Sequence, residues 1–235
     1  MHVNAINDIV INLWAYLHKK RKVRLRSRHE TVKVNVGCGL IVAKGWLNLD
    51  VSLATLAAAW PRPLQRALYK VSPRASYIKR HFSPEEFSRA LEEHNFIHHD
   101  TKYGLPFAGE SVDYIYTSHF VEHLYRSHAQ KFFEESRRVL KKGGVLRISV
   151  PDLEYVVGLY NAGRKEEAMD FCYYDAGTSE FTRHKYMYDF ELMQRYLQEA
   201  GFSDIRRCSY REGQTPDIET LDGHPGYSLF VEAIK

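Results

Sequence analysis

The chain predicts an α/β fold in which a mainly parallel sheet carries helices on both faces. Three observations point there. Short apolar runs rich in Val, Ile and Tyr alternate with stretches of helical periodicity, the pattern of parallel strands joined by crossovers. The first such run, Val34-Asn35-Val36, leads directly into Gly37-Cys38-Gly39, a turn whose backbone can pass close to a ligand because no Cβ intervenes. Small and polar residues then collect just beyond each predicted strand, the edge at which such sheets bind ligands.

Each element has a local reason. Residues 3–17 place Ile6, Ile9, Val10, Leu13, Trp14 and Leu17 at helical spacing on one face. Residues 19–28 follow with seven basic residues and no acid. Residues 1–30 therefore read as an amphipathic helix with a basic tail, set before a domain spanning 31–235. Two outcomes are open for that segment. It packs on the domain with a solvated charged end, or residues 1–28 contact an anionic membrane surface or an acidic partner.

Lys33–Val36 predicts the first strand and Trp46–Val51 the second. Only ten residues separate Gly39 from Asp50, against about 20 in a usual dinucleotide-binding unit. The first crossover is therefore a very short helix or a loop. Residues 52–94 form a helical insertion, with helical patterns at Ala54–Ala59 and Pro63–Lys70. Ser83-Pro84-Glu85-Glu86 is a helix start, with Ser as N-cap, Pro at the first position and acids in the first turn. Phe96–His99 predicts a third strand and Val112–Thr117 a fourth. Ala129–Leu140 predicts an amphipathic helix stopped by Lys141-Lys142-Gly143-Gly144. Val145–Val150 predicts a fifth strand, stopped by Pro151. A helix over Leu192–Ala200 ends at Gly201, and strands near Asp204–Tyr210 and Tyr227–Ile234 close the chain.

Composition bounds the rest. At 235 residues, 44% apolar and 26% charged, the chain can bury one full core. The net charge of +4 is local: outside residues 19–28, 26 basic residues face 29 acidic ones. No basic face spreads over the domain, so no nucleic-acid partner is expected. The three cysteines, Cys38, Cys172 and Cys208, are odd in number and lack metal-ligand spacing. That usage fits a reducing cytoplasm rather than a disulfide framework. No apolar run is long enough to cross a bilayer, and the charge follows the first apolar stretch, the reverse of a secretory signal. The expected location is cytoplasmic, with residues 1–28 suited to the periphery of a membrane.

The candidate site follows from the strand ends. The first strand is followed by Gly37, Cys38 and Gly39. The second ends in Asp50, whose carboxylate can accept from two ribose hydroxyls. The third ends at Asp100 and Thr101. The fourth is followed by Ser118, His119, Phe120, Glu122 and His123, and the fifth by Pro151 and Asp152. A glycine turn followed by a strand-end acid fits a nucleoside cofactor. Asp152 either binds substrate or N-caps the next helix. His98-His99-Asp100 with His119 raises the question of a metal, but adjacent strand residues point to opposite faces, so no metal is expected. Phe171–Tyr188, with His184, Lys185 and Tyr188, is either a substrate lid or a packed helical hairpin.

Taken in order, these motifs resemble the class I S-adenosylmethionine-dependent methyltransferases. They are most similar to a small group with a Gly-Cys-Gly turn (Gly37–Gly39), a Gly-Trp-Leu-Asn-Leu-Asp second strand (Gly45–Asp50), a Leu-Pro-Phe loop (Leu105–Phe107) and a Ser-His-x-x-Glu-His segment (Ser118–His123). Leu140–Gly144, Val150-Pro151-Asp152 and Ala200-Gly201-Phe202 fall in register too. The resemblance covers residues 32–235, excludes the amino-terminal segment and fits 52–94 poorly. It implies a Rossmann-like sheet with an antiparallel last strand and S-adenosylmethionine as cofactor. By it, Gly37, Cys38 and Gly39 pass under the methionine part and Asp50 holds the ribose. Asp100 accepts from the adenine amino group, the Thr101 N–H faces the ring, and Ser118 and His119 sit near the methyl group. The family more often has an acid where this chain has Asn35, which cannot pair electrostatically with the cofactor's ammonium.

Methyl transfer from a sulfonium is an in-line displacement, so it asks mainly for proximity and alignment. A hydroxyl acceptor also needs a base. His119 and His123 are four residues apart, so on a helix they share a face, and an imidazole can serve as a base at neutral pH. His119 is the favoured base; His123 also reads as a packing histidine, and Glu122 as a cap or an orienting group. The resemblance implies O-methylation of a small molecule or a sugar-containing acceptor. Two alternatives stand beside it: a nicotinamide-dependent oxidoreductase, and a non-catalytic cofactor-binding scaffold docked through its basic amino terminus.

Overall fold

The computed structural model describes residues 2–25, 31–71, 78–79, 81–174 and 180–235. Seven strands form one sheet: β1 (Lys33–Val36), β2 (Trp46–Asp50), β3 (Asn95–His98), β4 (Val112–Ser118), β5 (Leu140–Pro151), β6 (Asp204–Cys208) and β7 (Ser228–Ile234). Their order is β3-β2-β1-β4-β5-β7-β6. β1 to β5 pair in parallel, and β7 runs antiparallel to both β5 and β6. The expected architecture, mostly parallel with an antiparallel last strand, is the observed one.

The described helices are α1 (His2–Leu17), α2 (Leu53–Ala57), α3 (Arg62–Val71), α4 (Pro84–Glu93), α5 (Arg126–Val139), α6 (Leu153–Asn161), α7 (Lys165–Cys172), α8 (Phe190–Glu199) and α9 (Ile218–Leu221). The Ser83 capping box is present: its hydroxyl accepts from the Glu86 N–H, and the Glu86 carboxylate accepts from the Ser83 N–H. Between β1 and β2 the chain forms a loop over residues 37–45, with no helix. α2 to α4 pack a separate small core around Leu40, Ala57, Tyr69, Phe87 and Leu91.

Two boundaries differ from expectation for physical reasons. α5 begins at Arg126, three residues before the first apolar residue of its pattern, because its first turn, Arg126-Ser127-His128, is exposed and polar and so carries no apolar periodicity. The Lys141-Lys142-Gly143-Gly144 stretch ends that helix, but β5 already begins at Leu140. Leu140 pairs with Val112, and the register then slips so that Val145 meets Tyr114. Gly143, at φ +78°, bends the extra residues outward as a bulge.

The period of two along the strands builds two unlike faces. On one, Val34, Val36, Leu49, Ile115, Leu146, Ile148, Val150 and Val231 form the main core with Phe132 and Phe133 of α5 and Met193 and Leu197 of α8. Each such side chain contributes about 1.5–3 kcal/mol on leaving water. The other face is partly polar: Asn35, Asn48, Arg147 and Glu232 are all buried there. Arg147 has no exposed surface and ion-pairs with Asp222 at 2.6 Å and Glu232 at 3.2 Å. Its guanidinium also donates to the carbonyls of Ser209 and Glu212. Residues 209–222 are thus clamped to the sheet by charge, with Trp46, Tyr116 and Leu221 as the apolar part of that contact.

α1 rests on the domain through Ile11 and Ala15, with Asn12 accepting from Lys102 at 2.8 Å. Of its apolar face, Ile9, Leu13 and Leu17 are 65%, 57% and 66% exposed, so that side does not pack on the domain. The small Ala15 lets the helix backbone approach, so the narrower side of the helix is the one that seats. Among the described residues no helix is long and apolar enough to cross a membrane.

Replacing Arg147 with Met removes the charge but leaves Asp222 and Glu232 buried and unpaired. A loss of about 3–5 kcal/mol is expected, the usual cost of breaking a buried ion pair from one side. Urea unfolding of Arg147→Met against the wild type measures it.

Candidate active site

A cleft of about 870 Å³ opens at the carboxyl ends of β1, β2, β4 and β5. Its floor is the loop after β1. Gly37 has φ +69°, and a Cβ there would fall inside the Phe120 ring, so both backbone and packing demand glycine. Gly39 has φ +52° and open space where its Cβ would stand. The loop is tied down at several points. Gly37 N–H donates to the Leu49 carbonyl at 2.8 Å, and Gly39 N–H to Asp50 Oδ2 at 2.9 Å. The Asn35 amide donates to the Ile41 carbonyl at 2.8 Å. A carboxylate at position 35 could not make that last bond, so the departure from the family's acid has a local structural use. Burial pushes the Cys38 thiol well up, with Asp50 adding to the shift, so it stays a protonated turn residue.

Asp50 Oδ1 accepts from the Ser52 N–H at 2.6 Å. Each Asp50 oxygen has thus taken one donor and keeps a lone pair for another, as a ribose diol requires. Asp100 faces the same cavity as Asp50. It caps the short 3₁₀ turn Thr101–Tyr103 through the Lys102 N–H, and the Lys102 ammonium lies 2.8 Å from its Oδ2. His98 and His99, whose rings burial holds below the usual histidine range, bond to the carbonyls of Val51 and Gly104. They brace the β2 and β3 ends and do not form a metal pair.

The opposite end of the cleft is built from histidines and aromatics. His119 follows β4 at φ +49°, a strained backbone for a non-glycine residue. Its N–H bonds the Ser149 carbonyl at 2.9 Å. Its Nε2 lies 3.0 Å from Ser228 Oγ and its Nδ1 3.3 Å from Glu122 Oε1. The ring packs edge-on to His224 and Tyr227. Burial alone would raise the fully buried Glu122 carboxyl; the His119 and His123 imidazoles outweigh it and hold the group ionised. Burial likewise keeps His123 below the usual histidine range despite Glu122 beside it.

Gly37, Cys38, Gly39, Asp50, Asp100, Thr101, Ser118, His119 and His123 therefore all line one cavity. Asp152 does not. Its Oδ1 accepts from the Glu154 N–H at 2.9 Å as the N-cap of α6, and its Oδ2 pairs with Arg207 at 3.0 Å. Of the two expected roles the capping one is observed, and Asp152 is not part of the lining of the cleft. The Phe171–Tyr188 stretch contributes Phe171, Tyr174 and His184 to the wall, and residues 175–179 of it lie outside the described set. His224 and Tyr227 also line the cleft. They precede the edge of an antiparallel strand, where the strand-end rule for parallel sheets does not look.

Residues 34–148 match a family described as a methyltransferase domain. The chain carries a methyltransferase domain, and S-adenosylmethionine is its cofactor. The methyltransferase is similar over its whole length to 96% of a Thermotoga maritima protein solved as an S-adenosylmethionine-dependent methyltransferase, possible histamine N-methyltransferase, at 16% identity and a TM-score of 0.51. It is also similar, over 97% of its own length and 67% of the other chain, to a possible exported protein of Bordetella parapertussis at 12% identity and a TM-score of 0.51. At such identities the likeness establishes the fold alone. No protein of curated function matches the sequence significantly.

Gly37→Ala tests the floor of the cleft. The added methyl must move Phe120 or the loop and take a left-handed backbone, at about 1–3 kcal/mol for the overpacking alone. The methyltransferase is expected to lose S-adenosylmethionine affinity by more than its melting temperature alone would suggest, as read by calorimetry beside a thermal melt.

Proposed function

We propose that the methyltransferase moves the cofactor's methyl group to a hydroxyl of a small molecule or glycan. The observation that carries the reading is one cavity lined by Asp50 and Asp100 and also by His119. At about 870 Å³ it stands near the top of the ~300–1,000 Å³ range of small-molecule sites. That leaves room for an acceptor beside the cofactor. Phe171, Tyr174 and Tyr227 line the cavity with aromatic carbon and, from the two tyrosines, phenol oxygens, a lining suited to sugars, which are apolar on one face and hydroxylated at the edge.

The cofactor supplies an electrophilic sulfonium methyl. The protein's own work is to orient the acceptor and to take its proton. His119 Nε2 exchanges its contact with Ser228 Oγ for the acceptor hydroxyl. With the methyl donor bound, the hydroxyl oxygen would take the methyl group and its proton would pass to the His119 imidazole. Glu122, 3.3 Å from His119 Nδ1, places a carboxylate charge beside the resulting imidazolium.

Calorimetry is expected to show binding of S-adenosylmethionine and its demethylated product but not of NAD; the reverse would overturn the reading. His119→Ala is expected to lower turnover on a hydroxyl acceptor by about 10²–10⁴-fold, the range of general-base catalysis, with cofactor affinity unchanged. An unaltered rate removes His119 from the role.

The exposed apolar face of α1 supports a peripheral seat on an anionic bilayer, because the exposed Lys20, Arg21, Lys22 and Arg24 follow it directly. Basic residues near such a surface contribute about 1 kcal/mol each, and the apolar face inserts beside them. Leu13→Asp with Leu17→Asp is expected to abolish co-sedimentation with phosphatidylserine vesicles and to leave the fold intact. Equal sedimentation of the variant and the wild type would eliminate the seat.

A further inference from the structure

Glu122, His123 and His184 meet at the acceptor end of the cleft, and their donor atoms lie within 4.8 Å of one another. The chain brings them together by backbone bonds. The Glu122 carbonyl accepts from the N–H groups of Lys185 at 2.7 Å and Tyr186 at 3.2 Å. This staples the segment before α8 to the turn after β4, and the His123 and His184 rings come to 4.9 Å between centroids.

The protonation pattern follows from the partners. His123 Nδ1 lies 3.1 Å from the Arg183 carbonyl, and His184 Nδ1 lies 2.6 Å from the Phe171 carbonyl. A carbonyl only accepts, so each Nδ1 is the donor, and Nε2 is the nitrogen left on each ring for a ligand. This is how metal-ligating histidines are held, with the outer nitrogen bonded to a carbonyl. Glu122 supplies the anion. Its side chain is fully buried, and neither carboxylate oxygen has a hydrogen bond. The nearest nitrogens, His119 Nδ1 at 3.3 Å and His123 Nε2 at 4.0 Å, are contacts without hydrogen-bond alignment. Ligand atoms of His123, His184 and Glu122 thus lie within 4.8 Å of one another around a buried, unbonded carboxylate, a set that a cation would satisfy. The neighbouring Lys185 ammonium does not satisfy it, being bonded to the His123 carbonyl at 3.0 Å.

We propose that Glu122, His123 and His184 bind one divalent transition-metal ion. Two imidazole nitrogens and one carboxylate suit Zn²⁺, Co²⁺, Fe²⁺ or Mn²⁺ better than the all-oxygen preference of Mg²⁺ or Ca²⁺. Three protein ligands beside an open cavity leave coordination positions for a ligand from solution. Resting on the O-methylation reading, those positions take the acceptor hydroxyl and lower its pKa, easing proton transfer to His119.

Titration of the metal-stripped full chain with Co²⁺ alone, followed by its visible absorption, tests the site without any turnover. One equivalent is expected to bind with ligand-field bands. His184→Ala and Glu122→Gln are each expected to weaken binding by more than about 10-fold, and His224→Gln, on the same wall, to leave it intact. Circular dichroism and cofactor affinity report whether each variant is folded. His184 is only half-buried, so His184→Ala decides if Glu122→Gln does not fold. Absence of saturable binding, or a folded His184→Ala that binds like the wild type, overturns the site. Cobalt binding without methyl transfer to any hydroxyl acceptor supports the metal site while counting against the acceptor reading.

Discussion

The ion cluster of Arg147 with Asp222 and Glu232 organises the second face of the sheet. A parallel sheet usually covers both faces with crossover helices. Here residues 209–222 carry only the short α9, and they reach the sheet through a fully buried guanidinium with two carboxylates and two carbonyls. Such a cluster is a weak source of net stability, since desolvation offsets most of the attraction. Its value here is placement. Charge fixes where the segment sits, and the segment delivers Gly223, His224 and Tyr227 to the cleft, two of them against His119.

The cleft shows the same economy at its other end. Asp50 closes the glycine loop with one oxygen and starts the next element with the other, so one carboxylate sets the geometry of the floor and still faces the cavity. The Gly37 turn must accept the Phe120 ring, which links the loop after β1 to the turn after β4. The backbone of His119, bent into the left-handed region, completes that link. The loop after β1 and the turn after β4 are therefore parts of one packed unit.

The strands, the glycine turn, Asp50, Asp100 and His119 could be read from the chain because they rest on local signals: β-branched runs, glycine, and the residue after a strand. Asp152 carried two readings from sequence, since a residue before a helix looks the same whether it caps or reacts. Its bond to the Glu154 N–H, and its place outside the lining of the cleft, decide the matter. Arg147 left a faint mark, a lone charge in Val145–Val150, but its partners are far along the chain. The convergence of His184 on Glu122 and His123 left none, being made by backbone bonds between segments about sixty residues apart. The outward face of α1 escaped periodicity for a related reason. A pattern tells which residues share a side, not which side finds a neighbour.

The helix-free link between β1 and β2 also bears on electrostatics. Where a helix follows the first strand, its amino end aims a positive macrodipole and free amides at the ligand, a cradle for pyrophosphate. Residues 37–45 provide no such pole. A dinucleotide's bridging phosphates would find little to neutralise them there. A sulfonium, already cationic, meets no opposing field on its way in.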